Sequence, residues 1–332
     1  MILRHSWKGA KMANPNYGFA KVKRAKSKAS ILIEGLSGRG KSGLALILAK
    51  ALANDNWEDV YAIDTENGSL KLYDGLKCSS GGKFSDFNVA EFNPELGFKP
   101  SHYLGYREAA IESGAKVLIQ DSITHAWSYS GGILDMVAEL KKNNTRYQKD
   151  SYAAWGDDMI VKEKNLLFEL FRDRRCHVIS TVRVKEKMEY DKDENGKTIL
   201  ASLGEQQIMQ NDVKYEPDLV LHMIEPGGAN KAPRAKVVKS RYAILEVDQT
   251  YEFTEQLCNQ LAKYLDEGVD PDALLEQQRK EYVDGIKDYL DNNKQAIPLW
   301  NILKKDAGFE SVPLADIDLN ALKQLFVKLT MD

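Results

Sequence analysis

Gly35-Leu36-Ser37-Gly38-Arg39-Gly40-Lys41-Ser42 fits G-x-x-x-x-G-K-[ST] in full, and no other segment restricts the fold so sharply. The pattern has meaning only between a strand and a helix. Ile31-Leu32-Ile33 before it is a strand-length apolar run, and residues 43–53 after it carry helical patterning. The glycines let the backbone curl so that its N–H groups face phosphates, and the helix N-terminus adds a positive partial charge. Lys41 is placed to reach the β- and γ-phosphates of ATP, and Ser42 to bind Mg²⁺.

The same texture continues along the chain. Short apolar runs recur at Val60-Tyr61-Ala62-Ile63, Val117-Leu118-Ile119, Val178-Ile179, Leu219-Val220-Leu221 and Val237-Val238. They are continuous rather than alternating, as expected of strands buried on both faces. Helical patterns at 106–113 and 157–172 lie between them. The expectation is an α/β fold: a P-loop core with a mainly parallel central sheet flanked by helices, followed by a small helical C-terminal tail. A hydrophobic fraction of 43% in 332 residues supplies a sizeable core. No apolar run approaches the roughly 20 residues of a membrane span, so no membrane partner is expected. Cys78, Cys176 and Cys258 are too scattered for a disulfide framework, and the N-terminus shows no continuous apolar signal segment. A reducing, cytoplasmic setting is expected.

Charge divides the chain further. Residues 1–30 carry eight Lys or Arg and no acid, whereas residues 246–332 carry nine Lys or Arg against 18 Asp or Glu. The expected organisation is a basic arm at 1–28, with Met12 as an alternative start, a core at 29–265, and an acidic helical region at 266–332. Two solvated faces would account for the asymmetry; a basic arm approaching a polyanion, with Lys23 and Arg24 among its cations, is the sharper reading. Within the core, residues 186–214 are highly polar and read as a long, mobile loop.

Two acids suit the chemistry of a phosphate loop. Asp121 ends the run Val117-Leu118-Ile119-Gln120-Asp121 and is the expected partner of Ser42 in holding Mg²⁺. Ile63-Asp64-Thr65-Glu66 ends the strand after the P-loop helix, at the sheet edge where the nucleotide binds. Glu66 is the candidate for orienting the attacking water, with Asp64 as the alternative. The histidines and cysteines lack zinc spacing, no nucleophile elbow is evident, and His125, His177 and Cys176 read as packed core residues.

Taken in order, these segments resemble the RecA-like ATPases over about residues 29–265. The phosphate loop is followed by Asp64-Thr65-Glu66, Gln120-Asp121-Ser122, His177-Val178-Ile179-Ser180-Thr181-Val182-Arg183-Val184-Lys185, and Lys236-Val237-Val238-Lys239-Ser240-Arg241. The chain looks more similar still to phage-encoded members, including the Sak-type single-strand-annealing group. The shared patterns are Asp121-Ser122-Ile123-Thr124-His125-Ala126-Trp127, Trp155-Gly156 and Thr181-Val182-Arg183-Val184-Lys185.

The resemblance implies that Glu66 activates water. Thr181 stands where RecA has a γ-phosphate-sensing glutamine, a longer residue, so the resemblance implies that Arg183 takes that part instead. Lys239 and Arg241 match cations that reach a neighbouring subunit's nucleotide, although two residues alternating on a strand would also simply face solvent. The stretch from Lys185 to about residue 211 matches a mobile DNA-binding loop, with Lys185, Lys187, Lys192 and Lys197 as phosphate contacts and Tyr190 as a stacking residue. The resemblance therefore implies a homo-oligomer with ATP at its interfaces, acting on single-stranded DNA in phage recombination or replication, in the host cytoplasm. A single-strand-binding or other recombination protein is a further expected partner. A duplex-DNA motor or loader, and a nucleotide-gated assembly protein that recruits a partner through its acidic tail, are the alternatives.

Overall fold

The structure is a computed structural model that describes residues 24–78, 82–150, 152–192, 198–228 and 230–331. Residues 27–266 make one compact unit; residues 24–26 and 267–331 belong to a second.

The larger unit opens with β1 (Ser30–Gly35), buried along its whole length, then the phosphate loop and α1 (Lys41–Leu52). β2 (Val60–Asp64), β3 (Asn88–Glu91), α2 (Pro100–Glu112) and β4 (Val117–Asp121) follow. Pro100 starts α2, where a fixed φ and a missing N–H cost nothing. The helices α3 (Thr124–Ser128), α4 (Ile133–Asn143), α5 (Thr145–Lys149) and α6 (Asp158–Arg172) come next. Asp157 caps α6 by accepting the Met159 N–H. The unit closes with β5 (His177–Lys192), β6 (Thr198–Gln207), β7 (Leu219–Glu225), β8 (Arg234–Ser240), β9 (Thr250–Glu252) and α7 (Glu255–Asp266).

The strands form one sheet in the order β3-β2-β4-β5-β1-β7-β8-β9, with β6 pairing only to β5. β3 through β7 in that order run parallel; β8 and β9 are antiparallel. Alternate residues of β1 serve opposite faces. Ile31 and Ile33 pack with Leu44 and Leu48 of α1 and Leu261 of α7, whereas Leu32 joins Leu118, Val178, Leu167 and Phe171. Both faces are covered, which is why the strands read as continuous apolar runs.

The order places β5 between the strand that feeds the phosphate loop and the strand that ends in Asp121. In register, Ile33 pairs with Thr181 and Gly35 with Arg183, while Gln120 pairs with Ser180. Gly35, Asp121, Thr181 and Arg183 therefore finish at one carboxyl edge of the sheet.

Two expectations need correction here. Within the stretch read as a long loop at 186–214, residues 186–192 and 198–207 are strand: β5 runs on to Lys192 and β6 returns antiparallel, pairing Lys192 with Thr198 and Val184 with Gln207. The ribbon is polar, so it shows no hydrophobic alternation to read. In addition, β8 ends at Ser240, and its register shifts between the Val220–Lys239 and Leu221–Val237 pairs. Arg241 thus lies beyond the strand, and Lys239 and Arg241 do not share one strand face by simple alternation.

In the second unit, α8 (Pro271–Asn292), α9 (Ile297–Asp306) and α10 (Leu319–Met331) surround Ile286, Trp300, Leu322 and Leu325. Pro298 opens α9 rather than breaking a longer helix. Among the described residues no helix is long and apolar enough to cross a membrane.

Candidate nucleotide site

The phosphate loop owes its shape to its glycines. Gly38 and Gly40 have φ of 75° and 81°, in the left-handed region. A Cβ on Gly40 would also come within 3.0 Å of the Pro226 backbone, so the loop is closed against the segment after β7. Gly40 is the N-cap of α1 and offers no side chain, which leaves the first N–H groups of the helix pointing into the loop. Ser37, Gly38 and Arg39 are exposed, and Leu36 is half-buried with its carbonyl turned back to Lys41.

Lys41 is 7% exposed and donates to the Leu36 carbonyl at 3.0 Å. Burial pushes its pKa below the ordinary lysine value, against the opposing pull of Glu66 and Asp121. A buried ammonium beside a ring of amides is a place that favours a multiply charged anion.

Asp121 is 1% exposed, and burial pushes its pKa up to about 6. Ser42 donates to its Oδ2 at 2.5 Å, and Thr181 donates to its Oδ1. This hydroxyl and carboxylate fit hydrated Mg²⁺, which keeps several waters and takes phosphate oxygens as further ligands. Among the described residues no cluster of three or more His, Cys, Asp or Glu would hold a metal by itself. Mg²⁺ held at Ser42 and Asp121 would neutralise charge between the phosphates. Thr181 is not positioned as a free sensor, since its hydroxyl is already on Asp121.

Asp64 and Glu66 divide their labour. The Asp64 carboxylate accepts the N–H of Glu66 at 2.7 Å and of Leu70 at 2.8 Å, and so builds the turn after β2. Glu66 projects from that turn; its Oε1 accepts from Nε of Arg183 at 2.9 Å and forms an ion pair with Nη2 at the same distance. Arg183 also donates Nη1 to the Tyr129 hydroxyl at 2.9 Å. The guanidinium stands one strand-end away from the loop, close enough to Lys41 to disfavour its charge.

An apolar cavity of about 280 Å³ opens beside α1, lined among others by Gly43, Ile47, Tyr73, Phe84, Gly227 and Pro233. Tyr73 lies 3.5 Å from where a Gly43 Cβ would be, so the glycine admits the ring. A flat, apolar slot next to a phosphate loop suits a nucleobase. Nothing in the sequence pattern singled out these residues, because they come from three separated segments.

A second polar knot lies under the loop. Glu34, the last residue before Gly35, accepts from Gln207 of β6 and contacts His222 Nδ1 of β7 at 3.0 Å. The hairpin made by β5 and β6 is therefore tied to the nucleotide edge on both strands: through Thr181 and Arg183 on one, and Gln207 on the other.

Lys239 and Arg241 lie elsewhere. β8 is antiparallel, so its end falls at the amino edge of the parallel strands, opposite the phosphate loop. Lys239 donates to the carbonyls of Tyr215 and Pro217 at 2.5 Å, and Arg241 pairs with Asp218 at 2.9 Å. Of the residues expected to meet DNA, Lys185 is exposed on β5 just past Arg183, and Lys187, Tyr190 and Lys192 continue that strand. Lys23 and Lys197 lie outside the described residues. Arg24 is described and pairs with Glu267 at 3.0 Å.

Comparison with known proteins places the chain in a family and finds solved structures of similar fold. The model of the AAA domain family matches residues 27–252. A KaiC-like protein from the hyperthermophilic archaeon Pyrococcus horikoshii has a similar structure, with 15% identity, a TM-score of 0.36, and coverage of 68% of this chain and 84% of that one. No curated protein matches the chain.

Proposed function

The chain belongs to the AAA domain family, and from that premise we propose that it is a Mg²⁺-dependent, RecA-like ATPase that assembles with copies of itself and acts on single-stranded DNA, in the recombination or replication of a phage. The DNA part of the proposal is supported by one observation: the strand inserted between the phosphate loop and Asp121 continues directly into a long polar hairpin. Thr181 and Arg183 on that strand touch Asp121 and Glu66, and Lys185 to Lys192 follow on the same strand. An element that grips a polyanion would thus be one rigid strand away from the hydrolytic acid.

In this reading the loop amides and Lys41 cradle the phosphates, the slot at Tyr73 and Phe84 takes the adenine, and Glu66 orients the attacking water. Phosphoryl transfer asks the protein mainly for positioning and charge stabilisation. Lys239 and Arg241 sit at the far edge of a sheet whose six-residue β1 spans roughly 20 Å, so in this proposal a nucleotide phosphate they contact belongs to a second copy.

A second reading draws on the other unit. Three helices with their own apolar core, in a markedly acidic region, are a module that could recruit a protein partner in a nucleotide-gated way. ATP turnover measured alone, with single-stranded DNA and with duplex DNA separates these. Stimulation by single strands supports the proposal, a duplex preference points to a motor or loader, and indifference to both favours the assembly protein.

A further inference from the structure

Glu66 belongs to a closed circuit of side chains. Its Oε1 accepts the Nε–H of Arg183 and lies 2.9 Å from Nη2 as an ion pair, and Arg183 gives Nη1 to the Tyr129 hydroxyl. The Tyr129 ring lies 3.9 Å, centroid to centroid, from the His125 ring and meets Phe98 edge-on at 6.1 Å. His125 Nδ1 is 2.6 Å from Thr65 Oγ1, and Thr65 precedes Glu66 in the chain. Thr65 is itself fixed by the Ser122 backbone, which donates to it at 2.8 Å and accepts from it at 3.1 Å. Three elements meet in this ring: the turn after β2, helix α3 and strand β5.

The circuit has features that plain core packing does not need. Arg183 gives one donor to Glu66 and another to Tyr129, so its guanidinium is held at two points, which fixes its orientation as well as its place. His125 is 2% exposed, and burial pushes its pKa down to about 4, so Tyr129 rests on an uncharged ring. Tyr129 is 43% exposed, yet its hydroxyl is aimed inward at the guanidinium. Glu66 Oε2 accepts no hydrogen bond among the described residues, so one carboxylate oxygen is anchored and the other is presented.

We propose that Tyr129 is a positioning residue for nucleotide hydrolysis, holding Arg183 and, through it, the presented oxygen of Glu66. The proposal rests on the reading of Glu66 as the acid that orients water. The transition state of phosphoryl transfer asks little of proton abstraction and much of geometry, so losing the orientation of Glu66 is costly.

The test is steady-state hydrolysis of Mg·ATP by the full chain, with affinity for a fluorescent ATP analogue measured alongside. Tyr129→Phe keeps the ring on His125 and removes only the hydroxyl. Loss of a hydrogen bond to a charged group predicts a fall in kcat of about ten- to a hundredfold, with KM and analogue affinity unchanged. Because Tyr129 acts through Arg183, Tyr129→Phe/Arg183→Met should be no slower than Arg183→Met alone. A Tyr129→Phe enzyme with wild-type kcat overturns the proposal, as does one that loses nucleotide affinity, or a double variant in which the two losses multiply. Glu66→Gln, run beside these, separates the failures. If it is dead while Tyr129→Phe is unaffected, only the Tyr129 role falls; if it turns over normally, the reading of Glu66 falls and takes the proposal with it.

Discussion

Thr181 on β5 donates its hydroxyl to the carboxylate of Asp121 on β4, across two adjacent parallel strands at the edge where the phosphate loop begins. Ser42 holds the other carboxylate oxygen from α1. Asp121 is thus fixed from both sides before any metal arrives, and desolvation raises its pKa to about 6. Thr181→Val keeps the shape and deletes one donor. A hydrogen bond to a buried charged group contributes about 1.5–3 kcal/mol. Urea denaturation at pH 7.5 should show a loss in that range, together with weaker Mg²⁺ dependence of nucleotide binding. An unchanged midpoint would mean that Thr181 does not support the carboxylate.

Glu66 and Asp64 are two residues apart and should fail in different ways. Glu66→Gln should bind ATP with wild-type affinity and lose hydrolysis by about a hundredfold or more, since the amide no longer directs water to the phosphorus. Asp64→Ala removes the acceptor of two backbone N–H groups. It should lower folding stability by about 2 kcal/mol and reduce both binding and turnover as the turn relaxes. A stable, binding-competent Asp64→Ala variant with dead chemistry would exchange the two assignments.

Much of this site could be read in the sequence because backbone chemistry and short spacing define it. Gly35 to Ser42 specify a strand, a curled loop and a helix start, and Asp121 and Glu66 each end an apolar run. Long-range arrangement could not be read. Nothing local to Tyr73, Phe84 and Pro233 says that they line one cavity, and nothing local to Tyr129 says that its hydroxyl meets Arg183. The ribbon of β5 and β6 was missed because hydrophobic period is the main strand signal and a polar, twisted pair of strands lacks it. Arg241 reads as part of β8 because nothing in residue type marks the strand's end at Ser240.

His177 gives a pH dependence with a definite sign. It is 9% exposed, and its Nδ1 accepts the Ala29 N–H at 2.9 Å, at the start of the strand that leads to the phosphate loop. Burial lowers its pKa to about 3 from the ordinary 6.5. The folded pKa lies below the unfolded one, so the unfolded chain binds the proton first. The contribution to stability is complete above pH 6.5 and is lost as pH falls towards 3, by about 1.4 kcal/mol per pH unit. His177→Gln retains an acceptor without a titration, so its stability should fall less steeply between pH 6.5 and 5. Equal slopes for variant and wild type would show that His177 does not titrate on unfolding.

The last prediction concerns Lys239 and Arg241. They lie at the edge of the sheet opposite their own phosphate loop, and their side chains are held by Tyr215, Pro217 and Asp218. A role in hydrolysis therefore requires a second copy whose nucleotide edge meets this surface. A cation delivered in trans to a transferring phosphoryl group is worth about 10³–10⁵ in rate. Lys239→Ala/Arg241→Ala should bind ATP but hydrolyse it poorly. Lys41→Ala should be inactive for a different reason, having lost the ammonium that faces the phosphates. Mixed together, the two should recover part of the wild-type rate, because the intact loop of one copy then faces the intact cations of the other. Lys239 also closes two backbone carbonyls, so the folded state of its variant must be checked by thermal denaturation. If mixed assemblies form from folded subunits and no activity returns at any ratio, Lys239 and Arg241 are structural residues of the sheet edge and the trans cation has to be sought elsewhere.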